Sequence, residues 1–96
     1  MQIKFLEIAQ IELDDAVSYY NLEIQNLGDK FLTEILKTLD RIGNFPLAWQ
    51  QCSKRTRRCR LRHFPYGLIY QILKDEIIIV AVANLHRKPE YWQNRL

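Results

Sequence analysis

Glycine and proline are scarce, three of each among 96 residues, and cysteine is down to two. So little glycine and proline excludes collagen-like and low-complexity architectures. Cys52 and Cys59 are separated by six residues, with no C-x-x-C pair and no His/Cys cluster beside them, so they read as two reduced thiols and not as a zinc site. Long apolar runs are also missing. The longest, Ile77 to Ala83, holds seven residues, whereas a membrane-spanning helix needs about 20, so no segment is expected to cross a bilayer. Glu7, Glu12, Asp14 and Asp15 interrupt the first fifteen residues and leave no apolar stretch of the secretory kind, which places the chain in the cytoplasm by expectation. No Walker loop, G-x-S-x-G elbow, H-E-x-x-H pair or dinucleotide fingerprint occurs, so nucleotide-cofactor and metalloprotease readings lose support and neither metal nor cofactor is expected.

What is present is a globular composition: 48% apolar, 11% aromatic and 26% charged residues. Ninety-six residues fit one domain spanning 1–96, since dividing them would leave two marginal cores. The net charge of +3 conceals a split. Residues 1–50 carry four Lys/Arg against eight Asp/Glu, and residues 51–96 carry ten against three. Six of the nine residues from Lys54 to Arg62 are basic and none is acidic, a density that favours a polyanion or an acidic protein partner over a merely solvated strand face.

Periodicity supplies the elements. Ile3, Phe5 and Leu6 form a short extended segment. Leu13, Ala16/Val17, Tyr20, Ile24 and Leu27 recur at three- and four-residue steps and predict a helix ended by Gly28, with Glu12, Asp14 and Asp15 in its early turns where the helix dipole favours negative charge. Asp29 can cap a second helix with a stripe of Leu32, Ile35/Leu36, Leu39 and Ile42, stopped by Gly43 and Pro46. The period then changes to two. Arg57 to His63 reads as a strand with Cys59 and Leu61 inward and Arg58, Arg60 and Arg62 outward. Leu68–Leu73 follows the Pro65-Tyr66-Gly67 turn as another strand, and Ile77–Ala83, apolar throughout, reads as a central strand covered on both faces. The expected fold class is α+β, in the order β-α-α-β-β-β: two antiparallel helices on a mostly antiparallel four-stranded sheet, with a short polar and aromatic tail from His86 to Leu96.

The acidic pairs Asp14-Asp15 and Asp75-Glu76 fall on a helical turn and a hairpin turn and read as structural. The constellation that could carry chemistry is the basic strand together with His63, Tyr66, His86, Arg87, Tyr91 and Arg95. RNA can be cleaved without metal when a base takes the 2′-hydroxyl proton, cations hold the charge growing on phosphorus, and an acid protonates the leaving 5′-oxygen. Arginine suits the middle role through its bidentate fork, and histidine the outer ones through its pKa. Tyr91 and Trp92 can stack on an unpaired base, although Trp92 can equally plug the core where the tail docks, and His63 can simply lie on the surface.

These residues resemble the RelE/ParE toxin superfamily, whose members are often described as plasmid-stabilisation proteins. The resemblance spans nearly the whole chain. It rests on Ala9-x5-Asp15-Ala16-x2-Tyr19-Tyr20, on Gly28-Asp29-x-Phe31-Leu32, on Arg62-His63-Phe64-Pro65-Tyr66-x-Leu68-Ile69-Tyr70, and on Ala81-Val82-Ala83-x2-His86-Arg87-x-Pro89-x-Tyr91-Trp92-x2-Arg95. It implies a growth-inhibiting toxin with a cognate antitoxin encoded next door. RelE-like members of the superfamily are ribosome-dependent mRNA endonucleases, and ParE-like members are poisons of DNA gyrase. The resemblance places the nuclease branch's basic strand residues on Arg58, Arg60 and Arg62, its late arginine on Arg87 and its tail tyrosine on Tyr91; with His86 and Arg95 of the same constellation, the expected catalytic residues are Arg62, His86, Arg87 and Tyr91, and the expected RNA-binding residues Arg58, Arg60, Arg62 and Arg95. The leading expectation is a metal-independent endoribonuclease acting on mRNA at the ribosome. A gyrase inhibitor, or a small basic nucleic-acid-binding module without catalysis, stands as the alternative. Where the nuclease branch has an arginine after the turn tyrosine, this chain has Gly67, and where relatives often have histidine it has Asn84.

Overall fold

A computed structural model describes residues 1–88 and 90–96; Pro89 of the tail motif lies outside the described residues. The elements are β1 (Gln2–Phe5), α1 (Glu7–Glu23), α2 (Leu27–Asn44), β2 (Gln50–Gln51), β3 (Arg57–Arg60), β4 (Tyr66–Leu73) and β5 (Glu76–Asn84). They form an α+β fold with one mixed five-stranded sheet in the order β1-β5-β4-β3-β2. The expected four-stranded sheet therefore gains a strand. β2 pairs Gln50 with Arg58 and Gln51 with Arg57, and two exposed glutamines carry neither the length nor the alternation that would mark a strand in the sequence. The β1–β5 pairing is parallel, with Ile3 opposite Ile77 and Phe5 opposite Ile79, while the other three are antiparallel.

The helix boundaries also differ from expectation. α1 ends at Glu23, Ile24 turns extended, and Asn26 adopts a left-handed conformation (φ 67°) that lets α2 begin at Leu27. Gly28 thus sits inside the first turn of α2. A Cβ there would stand 2.1 Å from the Val17 carbonyl oxygen, so glycine is required by the close approach of the two helices and not as a helix end. The inward stripe of α2 is Phe31, Ile35, Thr38 and Ile42, while Leu32 and Leu36 are exposed.

β3 stops at Arg60 instead of running to His63. Beyond it Leu61 donates its N–H to the Tyr66 carbonyl, and the His63 N–H donates to the Glu34 carboxylate at 2.6 Å, which pulls the chain down toward α2. Cys59 and Leu61 are buried, as their alternation predicts.

β5 is covered on both faces, and a bulge explains how. Ile69 pairs with Ala81 and Tyr70 with Ile79, which leaves Val80 as the extra residue and reverses the side-chain parity across it. Ile77, Ile79 and Val82 consequently join Ala9, Leu13, Phe31, Ile35 and Leu68 in the core beneath the helices. Val80, Ala81 and Ala83 pack with Ile69 and Trp92 on the opposite face. Trp92 is the plug that docks the tail. Among the described residues no helix is long and apolar enough to cross a membrane.

Candidate functional site

The cationic residues separate into two neighbourhoods. The first lies along the outer edge of β3, where a shallow groove is lined by Arg41, Trp49, Gln50, Arg58, Arg60 and Arg62. β2 pairs only as far as Arg58, so the edge beyond is capped by a side chain: Arg41 of α2 donates to the Arg60 carbonyl at 2.9 Å. The same guanidinium lies 5.9 Å from the Trp49 ring centroid, and the Trp49 indole donates to the Arg41 carbonyl at 3.2 Å. Arg60 and Arg62 are exposed and make no ion pair among the described residues. Arg58 is half-buried. Its terminal nitrogen donates to Gln50 Oε1 at 2.8 Å, its Nε is buried without a partner among the described residues, and its stem crosses the sheet at Gly67, where a Cβ would lie 3.2 Å from Arg58 Cγ. Gly67 therefore makes room for the arginine of the neighbouring strand.

The second neighbourhood lies between α1 and the end of β5, lined by Glu12, Asp15, Tyr19, Tyr66, Arg87 and Tyr91. Glu12 organises it. β1 ends opposite Ile79, so the β5 edge beyond has no strand partner, and an ion pair takes that place. Glu12 Oε1 accepts the Val82 N–H at 3.0 Å, and Arg95 donates to the Val80 carbonyl at 3.0 Å while gripping both Glu12 oxygens at 2.8 and 2.9 Å. This hydrogen bonding raises the Arg95 pKa further, so the guanidinium remains charged. Tyr91 donates its hydroxyl to Glu12 Oε2 at 3.3 Å, and the Arg87 guanidinium lies 4.4 Å from its ring centroid. Burial, followed by the Glu12 charge, pushes the Tyr91 pKa above its ordinary value, which leaves the phenol protonated at neutral pH.

Most of the residues expected to act on RNA line one of two hollows. Arg58, Arg60 and Arg62 share the β3-edge groove, and Arg87 and Tyr91 share the α1–β5 hollow. His86 is exposed and lines neither; its N–H donates to the Asn84 side-chain oxygen at 2.9 Å. Arg95, expected to bind RNA, has a side chain only 17% exposed and engaged within the fold. His63 meets Glu34, Nδ1 to Oε2 at 3.0 Å. Burial alone would raise the Glu34 pKa, but hydrogen bonds from His63 and from the Arg62 backbone outweigh it and bring the carboxyl below its ordinary range. Burial raises both cysteine thiols, so neither is poised as a thiolate. Among the described residues no group of three His, Cys, Asp or Glu could hold a metal ion.

Residues 3–91 match the family described as "ParE toxin of type II toxin-antitoxin system, parDE". The chain belongs to the ParE toxin family. It thereby falls within the RelE/ParE superfamily to which its motifs point. Its fold is also similar to that of a solved structure described as "Chromosomal ParDE TA system from P. aeruginosa", with a TM-score of 0.71 and 16% identity over 88% of this chain and 96% of that one. Among curated proteins no match is found.

In the sequence Glu12 reads only as a dipole-compatible acid, and Glu34, Arg41 and Trp49 stand outside its motifs. For two of these a signal existed. Glu34 and Arg41 each fall three residues after a member of the true inward stripe of α2, Phe31 and Thr38, so their charges lie beside the core, where they need partners.

Proposed function

We propose that this ParE-family chain is the toxin of a type II pair, held silent by a cognate antitoxin, and that it arrests growth by inhibiting DNA gyrase instead of cleaving mRNA. The observation that carries this reading is the match of residues 3–91 to the ParE toxin family, and the layout of the cationic groups agrees with it. Cleavage needs a proton acceptor, a proton donor and a phosphate-binding cation around one phosphorus. Arg62 belongs to one groove and Arg87 with Tyr91 to another, while Tyr91 holds its proton and directs it at Glu12. A protein or protein–DNA target makes no such demand, because an exposed arginine edge adds charge complementarity and association rate without converging on a reacting atom.

On this reading Arg60 and Arg62 contact the target, and an antitoxin segment rich in carboxylates covers the same edge when growth resumes. The similarity to the ParDE structure supports the pairing with an antitoxin, and family membership favours gyrase over the ribosome. The test is to induce the chain alone in a bacterium and follow thymidine and methionine incorporation together. DNA synthesis is expected to stop first, and growth to recover when the neighbouring gene is co-expressed. Immediate loss of methionine incorporation, with mRNA fragments appearing, would return the endonuclease to first place.

A further inference from the structure

α1 is apolar on two flanks. Ala9, Leu13 and Ala16 face the core, as a surface helix requires, yet Ile8, Ile11, Tyr19 and Leu22 form a second stripe at i, i+3, i+11 and i+14 that faces solvent. Leu22 is 87% exposed and Tyr19 57%. α2 does not cover this stripe. Gly28 of α2 packs against Val17 and Asn21, which lie well round the helix from Tyr19 and Leu22.

The charge carried by α1 has one sign, and Arg87 at the far side of the hollow is the nearby exception. α1 carries Glu7, Glu12, Asp14, Asp15 and Glu23 and not a single Lys or Arg. Glu12 is neutralised by Arg95, but the other four have no ion-pair partner among the described residues. Asp15 falls at the middle of the stripe, and with Tyr19 it lines the hollow that also holds the Tyr66 and Tyr91 rings. Arg87 and Arg95 already lie against the Tyr91 ring, so the attraction for an incoming cation rests on the Asp15 carboxylate and the exposed Tyr19 face.

We propose that this flank of α1 is a docking surface for an amphipathic helix of a partner protein that presents Lys or Arg beside its apolar residues. The assignment is independent of the toxin's target and separate from the arginine edge of β3, which calls for the opposite charge. A second copy of this chain does not supply such a helix. Its own α1 would oppose carboxylates with carboxylates, and its α2 balances Lys30, Lys37 and Arg41 against Asp29, Glu34 and Asp40. Anionic lipid and nucleic acid are repelled by the same unpaired acids.

The probes are two labelled synthetic helical peptides of about 17 residues, each with leucines spaced i, i+3, i+7, i+11 and i+14, one flanked by lysines and the other by glutamates. Binding to the full chain is read by fluorescence anisotropy at low and high salt. The lysine peptide is expected to bind at least about tenfold more tightly than the glutamate peptide, and to weaken as salt screens the acids. Leu22→Ser and Tyr19→Ser should each weaken it about tenfold, and Asp15→Lys should narrow or invert the preference between peptides. Leu73→Ser, at an exposed apolar residue at the end of β4, should leave it unchanged. All four positions are exposed, and circular dichroism checks that each variant folds. Equal binding of both peptides, or lysine-peptide affinity indifferent to Leu22→Ser and Tyr19→Ser, overturns the proposal. So does sedimentation showing that the chain alone dimerises and that Leu22→Ser abolishes the dimer.

Discussion

Glu12 joins three stretches of chain that are distant in sequence: α1, the open edge of β5 and the tail. Its carboxylate acts as the acceptor, and Arg95 as the donor, that a sixth strand would have provided to Val82 and Val80. Removing it leaves a guanidinium at 17% exposure without its counter-charge and a strand N–H without an acceptor. Glu12→Ala should therefore cost about 2–3 kcal/mol in urea denaturation, discounted from a fully buried pair because both side chains keep some contact with water. Arg62→Ala, at an exposed site, should cost less than about 0.5 kcal/mol. Glu34 adds a pH dependence. Its folded pKa is held below the ordinary 4.5, so its contribution is complete above that value and is lost as pH falls through the lower folded value. Glu34→Gln should flatten the decline of stability below about pH 4.5, as followed by denaturation across an acid series. Such roles were hard to read in sequence because they depend on a partner 29 to 83 positions away.

Elements were legible where the pattern was long and one-sided. The apolar run Ile77–Ala83 announced a strand covered on both faces, although the bulge at Val80 that makes both faces usable has no signature in a run without alternation. The α2 stripe holds at Ile35, Leu39 and Ile42 but not at Leu32, which looks as apolar as Phe31, so that only packing decides which of the two faces the core. Glycine often follows a helix, so Gly28 reads as a stop; its work is to let the α2 backbone come against the Val17 carbonyl of α1. Gly28→Ala tests that assignment. A methyl group 2.1 Å from the Val17 carbonyl cannot be accommodated by a side-chain rotation, so the helices must separate, at an expected cost of about 2–3 kcal/mol in thermal or urea unfolding. A helix-end role in the left-handed region would cost only about 1 kcal/mol.

At the scale of the molecule, the charge split visible in the sequence survives folding in a divided form. The basic half places Arg60 and Arg62 along the β3 edge but folds Arg95 inward onto an acid of α1, and it sets Arg87 over Tyr91 in a different hollow. Sequence motifs carried the family correctly because they record which residue types occur in which order. They could not show which hollow each cation lines, since that depends on three-dimensional packing. Under the proposed function, this ParE-family chain acts on gyrase through its exposed basic edge, without nuclease chemistry. The most direct measurement is supercoiling of relaxed plasmid by purified gyrase in the presence of the chain freed from antitoxin, run beside cleavage of ribosome-bound mRNA. Supercoiling is expected to be blocked by wild type and restored about tenfold or more by Arg60→Ala with Arg62→Ala, while the mRNA stays intact. Unimpaired supercoiling together with cut mRNA would contradict the account.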